Sequence, residues 1–135
     1  MKREIKFIAW DKIKSIMRGV VRVDFDNPSF NVQILCPTES APQNWELRKF
    51  DEVELMQFTG LTDKNGKEVF DGDIVACYDW GGKNPFIKND SIVWDADENG
   101  WNFNSNWVED RYDFRKAISV CEVIGNIYEN PNLLK

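Results

Sequence analysis

Acidic residues punctuate the second half of the chain at Asp71, Asp73, Asp79, Asp90, Asp95 and Asp97. Paired carboxylates of this kind serve acid–base hydrolysis or hold a hard cation. The sharpest local pattern is Asp95-Ala96-Asp97-Glu98-Asn99-Gly100, which fits the first half of a calcium loop, D-x-[DN]-x-[DN]-G. The second half fails: position 12 falls on Asn106, where a bidentate Glu should supply two oxygens, and Glu109 comes three residues late. Strand formers flank the motif, so it reads as an acidic hairpin turn. Asp71 and Asp73 bracket Gly72 at a turn-to-strand junction, where carboxylates cap backbone N–H groups or face water.

The chain contains no histidine. That removes Ser-His-Asp and Cys-His nucleophile activation, histidine metal sites and the commonest general base. The three cysteines, Cys36, Cys77 and Cys121, are widely spaced and odd in number, so they suggest buried small hydrophobes, not a disulfide framework or a zinc site. Catalytic, cofactor-binding and metal residues are therefore expected to be none.

Trp94, Trp101, Phe103 and Trp107 form the candidate interaction surface. Trp101, Phe103, Ser105 and Trp107 fall on one face of an alternating strand, with Asn102, Asn104 and Asn106 on the other. Such aromatics make a barrel core, a protein interface or a stacking platform for bases or sugars.

The elements that must position these groups are strands. From Leu55 to Val75 two apolar runs flank Asn65-Gly66, a dipeptide suited to a two-residue hairpin turn in which both central positions need positive φ. Asp71-Gly72 is a second turn, and Asp73 to Tyr78 resumes as a strand. Gly60 and Gly125 mark positions of unusual φ or close backbone approach. Ile5–Trp10 reads as a strand. After it, Ile13, Ile16 and Met17 leave a helical turn in competition with a hairpin closing at Asp11-Lys12. Val20–Phe25 alternates with Val21, Val23 and Phe25 inward, and Phe30, Val32 and Ile34 share a face of the next strand. Cys36–Asn44, with Pro37 and Pro42, is the candidate boundary, giving an N-terminal extension (residues 1–50) packed on a β-barrel region (51–135). Glu109–Lys116 suits a turn of helix and Ile118–Ile124 a closing strand. Strands at short spacing with Gly or Asn turns favour a small barrel or sandwich.

The 135 residues suffice for one domain, and 9 Phe, 6 Trp and 3 Tyr are too many for a disordered chain. No apolar run approaches a membrane span and the start is charged, so a soluble, cytoplasmic protein is expected. Residues 1–50 carry 9 Lys/Arg against 6 Asp/Glu, whereas residues 51–135 carry 8 against 17. The acidic body repels phosphate backbones, while the basic arm either contacts them or docks on acidic groups within the chain or between copies.

Three blocks resemble the YopX-like family of phage and prophage proteins of Gram-positive bacteria: Arg3-Glu4-Ile5-Lys6-Phe7-Ile8-Ala9-Trp10-Asp11, Leu55 through Val75, and Glu122 through Leu134. One departure is Ile8, where the family usually carries Arg in a K-F-R-A-W motif. The resemblance implies a mainly β protein whose later part is a Src-homology-3-like β-barrel, and it implies no reaction, cofactor or catalytic residue. The expectation is a non-enzymatic accessory protein acting in the bacterial host cell by binding a host or phage protein. The alternatives are a nucleic-acid-linked role, by the basic arm or by acidic mimicry of DNA, and a carboxylate-based hydrolase. Homo-oligomerisation is left open, and no membrane partner is expected.

Overall fold

The apolar run Phe7-Ile8-Ala9-Trp10 makes Phe7–Asp11 the first strand, β1, and the chain turns back at once into β2, Ile16–Val23. The hairpin therefore prevails over a helical turn. Ser15 closes it with a positive φ of 54° and donates its N–H to the Asp11 carbonyl at 2.7 Å. The computed structural model describes residues 4–77, 88–104 and 114–134, and the chain divides into two units, Ile5–Gln57 and Phe58–Lys135 with Met1–Glu4.

In the unit Ile5–Gln57, β3 (Val32–Leu35) and β4 (Trp45–Arg48) follow, and the first part of β5 (Val53–Thr62) returns beside β1. The order is β4-β3-β2-β1-β5, antiparallel throughout. One face buries Ala9, Val32, Ile34, Cys36 and Val53, with Val20 and Leu55 against them. The proline-bearing segment after Cys36 is a hairpin loop: β3 and β4 pair from Leu35↔Trp45 to Val32↔Arg48, and the Cys36 N–H reaches the Asn44 carbonyl at 2.8 Å.

The inward placement of Val21 and Phe25 is corrected. The β2–β3 register shifts between Val20 and Arg22. A bulge of this kind changes which side chains face the core. Val20 packs inward, while Val21 is exposed and Phe25 is 78% exposed.

In the unit Phe58–Lys135, the rest of β5 pairs with β6 (Glu68–Phe70). The turn at Asp71-Gly72 then leads to β7 (Asp73–Cys77), whose five residues are all buried. β8 (Lys88–Asp95), β9 (Gly100–Phe103) and β10 (Cys121–Asn126) complete a sheet of order β10-β7-β8-β9. A short helix, α1 (Phe114–Ile118), precedes β10, so the closing strand begins at Cys121 and not at Ile118. Val69, Val75, Cys77, Ile92, Phe103, Ala117, Ile118, Cys121 and Val123 form the core. Cys77 and Cys121 are register partners across β7 and β10.

The fold is mainly β, with two antiparallel sheets, but among the described residues they do not close into a Src-homology-3-like barrel. β6 is only three residues long and pairs with β5, whereas β7 finds its partners in β10 and β8. The turn between β6 and β7 thus switches the chain from one sheet to the other, where a barrel needs an unbroken ladder.

The Asn65-Gly66 turn also differs from expectation. Positive φ is confined to Gly66, at 81°, and Asn65 is not in the left-handed region. Asp63 donates its N–H to the Lys67 carbonyl at 2.8 Å and accepts the Gly66 N–H at 3.0 Å, so the loop has three residues. Its last residue is left-handed, a geometry that spares Asn65 any strain.

Candidate interaction surface

The aromatic face on β8 and β9 changes character along its length. Ile92 faces Phe103 and Trp94 faces Trp101 across the hairpin, so all four share one side. Phe103 is 0% exposed, at the bottom of the core, with its ring 5.1 Å from that of Phe114. Trp101 packs against the same core while meeting Trp94 edge to face at 5.1 Å. Trp94, nearest the hairpin tip, is 50% exposed. Of the expected surface, Phe103 is core and Trp94 is surface; Trp107 lies outside the described residues. The hairpin tip is the acidic turn: Asp95 Oδ1 accepts the N–H groups of Asp97 at 3.0 Å and Glu98 at 3.2 Å, and Asn99 takes a φ of 54°. That carboxylate closes its own turn. Asn106 and Glu109 lie outside the described residues.

A second aromatic group had no recognisable signal in the sequence. The bulge in β2 turns Val21 outward, and Phe25, in the loop to β3, stands 5.6 Å from Phe50. Nearby, the Arg22 guanidinium lies 5.7 Å over the Phe30 ring. Of the eleven large apolar side chains exposed among the described residues, eight belong to Ile5–Gln57: Ile5, Ile13, Ile16, Val21, Phe25, Trp45, Leu47 and Phe50. Exposed aromatics grouped in this way are the composition of an interface centre.

The carboxylates serve the backbone. Asp63 is buried and accepts three N–H groups, from Asn65 and Lys67 at Oδ1 and from Val123 at Oδ2, each at 2.9 Å. It thereby ties the β5–β6 loop to β10. Asp73 accepts the Phe70 N–H at 2.8 Å, closing the turn in which Gly72 has a φ of 86°. Burial pushes the Asp73 carboxyl up to about 7, with the charges of Asp63 and Asp71 adding to it. Burial raises Asp71 as well. Among the described residues no group of three or more His, Cys, Asp or Glu is placed to hold a metal ion.

The strongest charged arrangement lies in Ile5–Gln57, where the sequence marked Asp11 only as a turn residue. Asp11 is 0% exposed and receives Arg48 Nε at 2.9 Å and Nη2 at 3.0 Å, a bidentate pair. Arg48 Nη2 also reaches Glu46 at 2.6 Å, and Glu46 accepts Lys14 at 2.9 Å. Burial alone would raise the Asp11 carboxyl, but the Arg48 hydrogen bonds and charge, with the Ile13 N–H, hold it below its usual value. Lys14 and Arg48 bring Glu46 down to about 2. Lys12 pairs with Glu54 at 3.0 Å and Arg22 with Asp24 at 3.2 Å, so these cations of the basic arm have acidic partners within their own unit.

The model of the YopX protein family matches residues 6–135. The chain belongs to the YopX protein family. Among solved structures, the crystal structure of protein EF1440 from Enterococcus faecalis is similar, at a TM-score of 0.63 and 25% identity, covering 99% of this chain and 100% of that one. No curated protein matches.

The family blocks of this YopX chain are accounted for by local backbone chemistry. Gly60, at a φ of 87°, sits where the β5–β6 register shifts, and the Thr59 hydroxyl bridges the gap by donating to the Val69 carbonyl at 2.8 Å. Gly125 is needed for a different reason: a Cβ there would collide with the Asn130 side chain. Asn130 accepts the Asn126 N–H at 3.2 Å, and Asn126 in turn accepts from Tyr128 and Glu129. The block Glu122–Leu134 is therefore a clasp of asparagines closed over a bare backbone position. Its 3-10 turn, Pro131–Leu134, ends on β8, where Asn89 Nδ2 donates to the Leu133 carbonyl at 2.8 Å. Ile8, in place of the family's usual Arg, lies opposite Gly19 and Met56.

Proposed function

We infer that this chain is a non-enzymatic interaction module that binds a host or phage protein. The observation that carries this reading is the exposed aromatic pair Phe25 and Phe50, in a unit that holds most of the exposed apolar side chains among the described residues. An unburied phenyl ring on a hairpin loop gains little for the fold, and its burial against a partner would release about 1.5–3 kcal/mol. Engagement of Lys12, Lys14 and Arg22 by carboxylates supports a protein partner over a phosphate backbone. The carboxylates Asp63, Asp73 and Asp95 accept backbone N–H groups, which favours binding over hydrolysis.

The test is a quantitative capture from lysate of a Gram-positive host, with the intact chain and its Phe25→Ser variant immobilised side by side. A defined protein held by the first and reduced at least about tenfold by the second is expected, since loss of a well-buried aromatic anchor costs more than about 1.4 kcal/mol. Equal retention by both would remove the Phe25 surface. A salt-sensitive shift of DNA by the pure chain, with no captured protein, would favour the nucleic-acid alternative.

A further inference from the structure

Where Cys77 and Cys121 stand in the ladder decides what two thiols can do together. They are register partners in the antiparallel pair of β7 and β10, and both are fully buried in one core. Opposed residues of such a pair come in two kinds, and those that exchange no hydrogen bonds stand closer. On β10, the Cys121 carbonyl accepts the Lys64 N–H at 3.0 Å and the Val123 N–H goes to Asp63 Oδ2 at 2.9 Å, so both residues turn their peptide groups away from β7. On β7, Ile74 lies opposite Ser91, whose carbonyl accepts the Asn104 N–H at 2.9 Å on the far side of β8. Ile74 therefore turns its peptide groups toward β10, and Cys77, three residues on, turns its own toward β8. Both strands thus make Cys77 and Cys121 a pair without mutual hydrogen bonds. The Cα separation typical of such a pair, about 4.5 Å, lies inside the range that a disulfide spans, about 4.4–6.8 Å.

We propose that peroxide joins Cys77 to Cys121 in an intrachain disulfide that staples β10 to β7, a reversible redox switch on the opening of this ladder. One thiolate attacks the peroxide, becomes a sulfenic acid and releases water; the other attacks that sulfur, forms the S–S bond and releases a second water. Two thiols and one hydrogen peroxide give one disulfide and two waters. Both sulfurs are closed off at rest, so the first step waits on local opening. The second step does not, because the partner thiol already stands opposite. Loss of the Cys121 proton leaves no orphan acceptor: Cys121 Sγ donates to the Ala117 carbonyl at 3.3 Å, and that carbonyl also accepts the Val120 N–H at 3.2 Å. The spacing of such a pair falls short of the one disulfides prefer, about 5.5–6 Å, and a bond so placed is more easily reduced. Small thiols therefore reopen it and leave as their own disulfide. Cys36 belongs to Ile5–Gln57, which holds no other cysteine, and is the internal reference. The switch is independent of the surface around Phe25.

The test treats the intact folded chain with hydrogen peroxide, then unfolds it and alkylates every remaining thiol. The alkylated thiols should fall from three to one, with the label on Cys36, the Cys77 and Cys121 peptides linked, and all three thiols restored by dithiothreitol. Amide exchange along β10 should slow about tenfold or more in the linked chain. Cys121→Ser, treated alike, should give no linked peptide and no slowing, which separates the staple from other effects of peroxide. If that variant does not fold, Cys77→Ala takes its place, and the peptide map of the native chain decides without either. Three alkylatable thiols after oxidation, a link that includes Cys36 or joins two chains, or unchanged exchange in the linked chain would overturn the proposal.

Discussion

Asp11 and Asp73 are both buried carboxylates on strands, and their surroundings drive them in opposite directions. In Ile5–Gln57 the Asp11 carboxylate meets the flat fork of Arg48 and stays ionised. In Phe58–Lys135 the Asp73 carboxyl accepts the Phe70 N–H and has two other carboxylates nearby, so burial prevails and its proton is held up to about 7. Burial sets the size of the electrostatic problem and the partner sets its sign. The first unit treats its acid as half of an ion pair; the second treats its acid as a neutral turn closer.

The largest effect expected from this contrast comes from removing the cation. Arg48→Ala leaves Asp11 ionised in a closed site and should cost about 3–5 kcal/mol by urea denaturation. Replacing both members, Asp11→Asn with Arg48→Met, should recover much of that loss, because the desolvation penalty disappears with the charges. A small loss for Arg48→Ala alone would mean that water reaches Asp11 and that the two carboxylates differ less than their burial indicates.

Asp73 comes next, with the sign reversed. Its folded value, about 7, lies above the ordinary 3.8, so the folded state binds the extra proton. The stabilisation from this group is complete below about pH 4 and is lost as pH rises through 7, so unfolding free energy should fall across that window. Asp73→Asn keeps an acceptor for the Phe70 N–H and removes the charge. At pH 8 it should stabilise by an amount on the order of 1–3 kcal/mol, shrinking toward zero by about pH 3.5. Thermal melts at the two pH values measure this, and a difference that does not change with pH would sink the assignment.

The smallest of the three effects belongs to Gly125→Ala. The new methyl displaces Asn130 and opens the clasp, at about 1–2 kcal/mol. Asn130→Ala in the same chain should absorb most of that penalty, a coupling read from the double-mutant cycle.

Much of the strand layout was legible because alternation and turn residues act locally. Val32–Leu35 declared itself by period two, Phe7–Asp11 by its apolar run, Asp73–Cys77 by its β-branched residues, and Asp71-Gly72 by its turn chemistry. What failed was whatever depends on an inserted residue or a distant partner. One bulge at Val21 inverted the expected facing of Val21, and Phe25 falls beyond the end of the strand, in the loop, so the aromatic surface stayed hidden. Arg48 lies 37 residues from Asp11, and nothing at either position announces the other. Trp94, Trp101 and Phe103 were correctly grouped on a face, yet period two carries no information on where along a hairpin the core ends. The open sheets escaped for a related reason: a tight turn looks the same whether the next strand joins the same ladder or another.

The cysteines give the molecule a pair of internal clocks. Cys36 is closed off within Ile5–Gln57, and Cys77 and Cys121 face each other across β7 and β10 in the other unit, all three buried as free thiols. An alkylating reagent can reach such sulfurs only when the surrounding structure opens, so the rate at which each is modified measures the opening of its own unit. Two labelling rates read from one sample would then tell whether the two halves of the chain breathe together or apart.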